Sequence, residues 1–227
     1  FRRVLFRSGH VKAVIFDLDG TLLDTLADIA SAMNSVLRAH DLPEHPTEDY
    51  ASMVGWGLRV LVERAVPSGA SVDLHEMTQR LHDAYHADPY RHTAAYPGVI
   101  DLLTTLRDRG IPQGVLSNKA HSLCSIIVEA TIGLQWFTIV EGRRDDRPAK
   151  PAPDGAYEVA RALARQPEDT VFVGDSAIDI ETARNAGMMP VGVSWGFRAV
   201  GELADAGAKA IIHSPAELLR IIGDTDG

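Results

Sequence analysis

The chain has 227 residues, of which 45% are hydrophobic and 23% charged, a globular composition with length for a core and a smaller second unit. A formal net charge of -9 argues against nucleic acid or an anionic membrane surface as the main partner. The single cysteine, Cys124, excludes an internal disulfide framework, and no apolar run approaches the length of a membrane span. We therefore expect a soluble, cytoplasmic protein. Residues 1–10 are interpreted as a leader, fragment edge or cloning remnant and not as a signal peptide.

A short apolar run near the start of the chain is followed by two carboxylates. Residues 14–16 predict a buried strand, and Asp17 and Asp19 come directly after it, before a turn at Gly20. Two acids this close repel each other unless a cation neutralises them, and Mg²⁺ suits oxygen ligands of this kind. The same pattern is equally typical of an ordinary turn, so the prediction of a site depends on what other strand ends supply.

Residues 25–90 predict a run of helices with no strand. Apolar residues recur at spacings of three and four up to His40, prolines follow, and further helical patterns run over residues 47–53, 58–66 and 72–86. The segment from Tyr96 to Gly98 is interpreted as the return linker.

Beyond the linker, helices alternate with short apolar strands. The strands are predicted at residues 111–118, 137–140, 170–175, 189–196 and 208–213. This alternation favours a parallel sheet covered on both faces. The predicted fold class is α/β: a Rossmann-like parallel sheet core, residues 10–24 and 91–227, with an inserted all-helical cap, residues 25–90.

Polar residues stand where the predicted strands end, which is where ligands bind in such sheets. The second core strand ends in Ser117 and Asn118, and a later strand ends at Asp175, with Asp179 four residues on. Lys150 lies in a loop between prolines. Taken singly, these residues could be helix caps or solvated loop residues. Together with the first acidic pair they form a complete set for phosphoryl transfer through an aspartyl phosphate.

The segments DLDGT, LSN, KPAP and GDSAID resemble, in order and context, the four motifs of the haloacid dehalogenase superfamily, and the helical block resembles the cap of its first subfamily. The resemblance implies that Asp17 is the nucleophile and Asp19 the general acid and base. It implies Mg²⁺ ligands from Asp17, Asp175 and the backbone carbonyl of Asp19, with Asp179 as a further or second-shell acid. The second acid, Asp19, is typical of the phosphatases of this superfamily and argues against carbon-halogen chemistry.

The phosphoryl oxygens are expected to be held by Ser117, Asn118, neighbouring backbone amides and Lys150. Thr21 is assigned to the substrate site, where it either orients Asp19 or closes the turn. His82, His86 and His92 show no metal-ligand pairing and are interpreted as surface residues.

The cap is expected to choose the substrate. Its segment VGWGLRVLVERAV resembles that of phosphoglycolate phosphatases, and Arg59 and Arg64 are the candidate cations for a small anionic leaving group. Asp41 stands where a glycine is expected, which predicts an altered turn. Trp56 and Trp195, both beside glycines, are candidates for the entrance or for loop anchors.

The sequence therefore predicts a Mg²⁺-dependent phosphomonoester hydrolase acting on a small phosphorylated metabolite, with phosphoglycolate preferred. A phosphomutase of the β-phosphoglucomutase type and a sugar-phosphate or pyrophosphate phosphatase remain open alternatives. A signalling receiver domain is disfavoured, since receivers carry the phosphorylated aspartate on a later strand and need no helical block. The sequence leaves a monomer or a homodimer open.

Overall fold

The backbone forms eight strands within residues 11–223, the part of the chain that this computed structural model describes. In chain order they are β1 (Ala13–Phe16), β2 (Leu23–Asp24), β3 (Ala94–Ala95), β4 (Gln113–Ala120), β5 (Ile139–Arg143), β6 (Thr170–Gly174), β7 (Met189–Val193) and β8 (Ala210–Ile212). Six of them form a parallel sheet in the order β5-β4-β1-β6-β7-β8, and β2 pairs antiparallel with β3. The interpretation of residues 1–10 lies outside the described residues.

Ten α-helices accompany the strands within the same described range. They are α1 (Leu26–Ala39), α2 (Tyr50–Met53), α3 (Leu58–Ala65), α4 (Leu74–Ala87), α5 (Val99–Asp108), α6 (His121–Thr131), α7 (Asp154–Ala162), α8 (Ala177–Asn185), α9 (Val200–Ala206) and α10 (Leu218–Ile222). None of these helices is both long and apolar enough to cross a membrane. The predicted α/β class is confirmed.

Strand β1 lies at the centre of the sheet because all four of its residues are apolar and buried. It pairs in parallel with β4 on one side and β6 on the other, so that Ile15 faces Gly114 and Phe172 across the two registers. Successive side chains of a strand point to opposite faces. Accordingly Val14 and Phe16 belong to the larger hydrophobic cluster, and Ile15 to a smaller cluster on the other face. The residues after β1 are thereby held at the middle of the sheet edge.

The helices α1 to α4 lie between β2 and β3, and we call residues 26–87 the helical segment. Apolar residues at three and four spacing in α1, among them Met33 and Leu37, are buried together with Leu81 and Tyr85 of α4. Burial of this stripe is what holds short helices together, since helices of this length are marginal alone. The helices predicted for this part of the chain are confirmed.

The short strand pair β2 and β3 joins the helical segment to the sheet. The sequence did not predict it, because a strand of two residues has no periodic pattern to detect. The buried carboxylate of Asp28 reinforces the join: it accepts the backbone N–H of His92 and, at 2.7 Å, the hydroxyl of Thr93.

The strands beyond the linker differ from their predicted ranges by a few residues at their ends, and one of these differences matters for function. β4 runs on to Ala120 because it resumes its parallel pairing with β5 at Arg143 after an irregularity, and β5 begins at Ile139. Lys119, one residue beyond the predicted strand, is therefore a strand residue at the sheet edge and is not part of α6.

The turn after α1 contains the residue that departs from the expected glycine. Asp41 has a φ of 54°, in the left-handed region that favours glycine, and its N–H donates to the carbonyl of Arg38. The turn thus keeps the backbone conformation of a glycine without having one.

Candidate active site

The carboxyl ends of β1, β4 and β6 meet at one edge of the sheet and line a cavity with about 660 Å³ of empty space, its mouth included. We call the residues from the sheet edge the core side of the cavity: Asp17, Asp19, Ser117, Asn118, Lys119, Lys150, Asp175 and Asp179. The opposite side comes from the helical segment.

Three carboxylates of the core side form a compact acidic cluster. One oxygen from each of Asp17, Asp175 and Asp179 lies within 4.8 Å of the others, and all three residues are buried. Burial and the neighbouring Asp179 carboxylate raise the pKa of Asp17 to about 7, although Lys150 opposes the rise. Burial and the carboxylates of Asp179 and Asp17 raise the pKa of Asp175 well above its usual range. Acids that resist ionisation in this way are the chemistry a bound divalent cation would relieve, so the cluster could hold one.

A close turn allows β1 to approach this cluster. Gly20 has a φ of 84°, and a Cβ at this position would collide with the carboxylate of Asp175. Only glycine meets both demands, the left-handed backbone and the absent side chain. The glycine of the DLDGT segment therefore serves the site as well as the turn.

Lys150 is the centre of the charged network. Its Nζ donates to Oδ1 of Asp17 and to Oδ1 of Asp179, both at 2.7 Å, and to the carbonyl of Leu116 at 3.0 Å. Burial alone would lower the pKa of this ammonium, but the two carboxylates outweigh burial and raise it above its usual range. Lys150 therefore stays charged beside Asp17.

Asn118 holds Lys150 in place through the backbone. Its Nδ2 donates to the carbonyls of Lys150 and Gly55, each at 3.0 Å, and its Oδ1 accepts the N–H of Lys150 at 2.9 Å. Both amide N–H groups are thus used by the protein, so the contacts of this side chain are those of a positioning residue. The neighbouring Ser117 hydroxyl oxygen accepts the N–H of Lys119 at 3.2 Å and lines the cavity. Its O–H is therefore available to donate.

Asp19 is held through a single oxygen. Its Oδ1 accepts the hydroxyl of Thr25 and Nζ of Lys119, both at 2.7 Å. The same ammonium donates at 2.6 Å to the hydroxyl oxygen of Tyr85, on the helical segment. Burial would lower the pKa of Lys119, but Asp19 and Tyr85 raise it above its usual range. Among residues 11–223, no group donates a hydrogen bond to Oδ2 of Asp19.

Sequence reasoning missed Lys119, Thr25 and Tyr85. Lys119 follows Ser117 and Asn118 directly, and a strand extended by two residues would have placed it at the sheet edge. Tyr85 shares its helical spacing with Leu81, so its pattern is that of an ordinary core residue. No local signal distinguishes it.

Thr21 does not orient Asp19, contrary to one of its two predicted roles. Its hydroxyl is buried and has no hydrogen-bond partner among the described residues, and Thr25 donates to Asp19 instead. The backbone of Thr21 closes the turn, with its N–H directed to Leu18, and its carbonyl accepts Nε1 of Trp195 at 3.1 Å. Trp195 thereby anchors its loop.

The helical segment contributes an apolar surface to the cavity. The lining side chains on this side are those of Ile29, Val54, Leu58, Leu61 and Tyr85. Such a surface excludes water from the charged core side, where electrostatic interactions are then stronger.

The two predicted cap arginines do not line this cavity. Arg59 pairs with Glu63 on the same helix at 2.9 Å, and Arg64 donates to the backbone carbonyls of Ser52 and Met53 and stacks over Trp56. Their predicted contact with substrate therefore has no support in the geometry. Trp56 is 37% exposed and is also not among the lining residues.

Three core side chains hold the loop of residues 54–57 against the cavity. Arg198 donates to the carbonyl of Val54 at 2.9 Å, Asn118 to that of Gly55, and Arg143 to that of Trp56 at 3.4 Å. The loop is thus tied to the core through its backbone.

Comparisons with known proteins identify the family of this chain. The family model described as haloacid dehalogenase-like hydrolase matches residues 14–193. A phosphoglycolate phosphatase from Caulobacter vibrioides is 38% identical over 208 residues, covering 88% of this chain and 86% of that protein. One from Chromobacterium violaceum is 34% identical over 215 residues, covering 92% and 95%.

The fold has close counterparts among solved structures. The crystal structure of a predicted phosphoglycolate phosphatase from Haemophilus somnus 129pt matches with a TM-score of 0.87 at 27% identity, covering 94% of this chain and 99% of that one. The match includes both the sheet and the helical segment, since residues outside it amount to a small fraction of either chain. This chain belongs to the haloacid dehalogenase-like hydrolase family and is a phosphatase of that family.

Proposed function

We propose that this phosphatase is a Mg²⁺-dependent phosphomonoester hydrolase that acts on 2-phosphoglycolate through an aspartyl phosphate on Asp17. The observation that carries the mechanism is the different environment of the two acids after β1: Asp17 lies against Lys150, and Asp19 is held by Thr25 and Lys119. The names of the curated relatives support the choice of substrate.

In the first half of the reaction, a carboxylate oxygen of Asp17 attacks phosphorus, and the bond from phosphorus to the glycolate oxygen breaks. Asp19 gives its proton to the departing oxygen. This role suits a carboxyl group whose Oδ1 is fixed by two donors and whose Oδ2 accepts no hydrogen bond from residues 11–223. The products of this half are glycolate and phosphorylated Asp17.

In the second half, Asp19 is ionised and takes a proton from a water molecule as that water attacks phosphorus. The bond between phosphorus and the Asp17 oxygen breaks, which releases inorganic phosphate and restores both carboxyl groups. Lys150 stays charged throughout and offsets negative charge on the phosphoryl oxygens, to which Ser117 and nearby backbone amides donate.

The acidic cluster fits a magnesium ion by the chemistry of its donors, which are all oxygens. Asp17, Asp175 and the backbone carbonyl of Asp19 would hold the ion. Asp179 would lie beside the ion without binding it directly, because its Oδ1 already accepts from Lys150 and its Oδ2 accepts the hydroxyl and N–H of Ser176. When bound, the ion supplies positive charge that offsets the charge of the phosphoryl group and of the surrounding acids.

Residues 25–90 are proposed to act as a cap over a core of residues 10–24 and 91–227. The apolar lining from this segment supports the role, since a surface that excludes bulk water strengthens the electrostatic interactions of the charged groups around Asp17. A small phosphorylated metabolite as partner and a cytoplasmic location fit the acidic composition and the single cysteine, which is buried.

The test is phosphate release from 2-phosphoglycolate, pyrophosphate, β-glucose 1-phosphate and N-acetylmuramate 6-phosphate, with Mg²⁺ and with chelator, for wild type and Asp17→Asn. We expect release that is strongest with 2-phosphoglycolate and absent with chelator or in the variant. Preference for another ester would keep the mechanism and discard the substrate. Isomerised sugar phosphate without phosphate release would replace the hydrolase with a mutase.

A further inference from the structure

The cavity offers few positive charges to a second anionic group of a substrate. Three of its described lining residues carry a cationic side chain: Lys119, Lys150 and Arg198. The two lysines each donate at 2.7 Å to carboxylates of the core side, Lys119 to Asp19 and Lys150 to Asp17 and Asp179. The positive charges of both lysines are therefore already balanced by the carboxylates to which they donate.

Arg198 is placed differently. It follows Phe197, whose backbone N–H donates at 2.7 Å to Oδ2 of Asp175, so its backbone is anchored at the acidic cluster. Its Nη2 donates to the carbonyl of Val54 on the helical segment. The side chain thus extends from the acidic cluster to the apolar side of the cavity, where the leaving group of a phosphate ester would lie.

The guanidinium of Arg198 has N–H donors that form no hydrogen bond with the described residues. It has five N–H groups. One is used at Val54, and its ion pair with Glu202 is long, with 3.9 Å between Nε and Oε1. The side chain is 13% exposed, while that of Glu202 is 41% exposed, so the arginine lies on the dry side of this pair. A charge-assisted bond to a carboxylate is strong in such surroundings.

We propose that Arg198 is the specificity-determining residue that binds the carboxylate of the substrate, a role that rests on the proposed function because it assumes a leaving group with a carboxylate. Arg59 and Arg64 were the sequence-based candidates for this role, and both are held by partners outside the cavity. Arg198 selects for a second negative charge on the leaving group, and Lys150 and Ser117 receive the phosphoryl group in every ester.

The experiment measures binding and does not require turnover. The dissociation constants of 3-phosphonopropionate, which carries a carboxylate, and of propylphosphonate, which ends in a methyl group, are compared by calorimetry with Mg²⁺ present. The variants are Arg198→Gln, which removes the charge, and Arg198→Lys, which keeps it. Arg59→Gln is the matched control at an arginine outside the cavity.

We expect wild type to bind 3-phosphonopropionate about tenfold or more tightly than propylphosphonate, as a charge-assisted bond would give. Arg198→Gln should remove this ratio while binding propylphosphonate as wild type does, which also shows that it is folded. Arg198→Lys should keep part of the ratio, and Arg59→Gln all of it.

The proposal is overturned if wild type binds the two ligands equally tightly, if Arg198→Gln retains the preference for 3-phosphonopropionate, or if Arg59→Gln loses that preference. An equal loss of both ligands in Arg198→Gln would likewise overturn it, because the residue would then act only through the loop at Val54. Failure of the proposed function has a different signature, the absence of phosphate release from 2-phosphoglycolate, and is measured separately.

Discussion

The two sides of the cavity differ in how their polar groups are satisfied. On the core side, ionisable groups such as Asp17 and Lys150 are buried and hydrogen-bonded to one another. On the helical side, apolar side chains line the cavity, and the polar groups of the loop over residues 54–57 are backbone carbonyls held by core side chains.

This difference separates chemistry from selection. Phosphoryl transfer needs charges held in place before the substrate arrives, and a central parallel strand provides a rigid support for them. Exclusion of water needs an apolar surface, which the helical segment provides. The proposed choice of a leaving group with a carboxylate also needs a positive charge, and Arg198 extends from the core to that surface. Lys119 belongs to both sides, since it joins Asp19 to Tyr85.

The largest effect on turnover is expected from a substitution on the core side, at Asp17. Asp17→Asn removes the proposed nucleophile, so kcat should fall by roughly a thousandfold or more in a phosphate-release assay. The matched control is Asp146→Asn, at an exposed acid that pairs with Arg144, which should keep wild-type activity. Comparable turnover in the two variants would remove Asp17 from the mechanism.

A smaller effect on turnover is expected at Lys119, where the two sides of the cavity meet. Lys119→Met keeps a long side chain but takes a donor from Asp19 and from the hydroxyl of Tyr85, so misplacement of the acid should lower kcat by about 10- to 100-fold. Tyr85→Phe leaves the bond between Lys119 and Asp19 intact and should cost less. Lys209→Met, at an exposed lysine, is the control. An unchanged kcat in Lys119→Met would show that Thr25 alone orients Asp19.

The acidic core side should also weaken the metal-free fold as pH rises. The pKa of Asp17 is raised from 3.8 to about 7, so between these pH values the folded state binds more protons than the unfolded state. Stability in chelator should therefore fall as pH increases from about 4 to about 7. Lys119 and Lys150 add no slope there, because their pKa values are raised from a value already above this window.

Thermal unfolding in chelator across this pH range tests whether stability falls as pH rises. Asp17→Asn removes one of the acids and should have a higher melting temperature than wild type at pH 7, by a few degrees, and a flatter pH dependence. Mg²⁺ should raise the melting temperature of wild type, since a ligand bound only by the folded state stabilises it. A wild-type protein that is more stable at pH 7 than at pH 5 in chelator would contradict the effect assigned to the acidic cluster.

The smallest effect, a change in stability, is expected at Asp41, an exposed residue of the helical segment. Asp41 has a φ of 54°, so Asp41→Gly should relieve backbone strain in the folded state. The greater freedom of glycine in the unfolded chain offsets part of this gain, and the net stabilisation should be less than about 1 kcal/mol. Turnover should not change, since Asp41 does not line the cavity. Denaturant unfolding and a phosphate-release assay measure the two quantities. A loss of activity would mean that the surface of this segment affects the cavity.

The residues proposed for the chemistry were recognisable in the sequence because each stands at a strand end or in a short motif. An apolar run followed by Asp17 and Asp19, and another followed by Asp175, place acids at one sheet edge once the strands are parallel. Gly20 was recognisable as a turn, but that its missing side chain makes room for Asp175 required the packed structure.

The sequence by itself thus determined the α/β class, the helical insertion and the acids and lysine proposed for the phosphoryl site, because periodicity and strand-end motifs are local properties. The tertiary structure alone decided that Lys119 contacts Asp19 across 100 residues of chain, that Thr25 and not Thr21 donates to that acid, and that Arg198 and not Arg59 lines the cavity. The physical reason is that these contacts join elements far apart in the chain, and which face of a helix or loop meets the cavity is set by packing between elements.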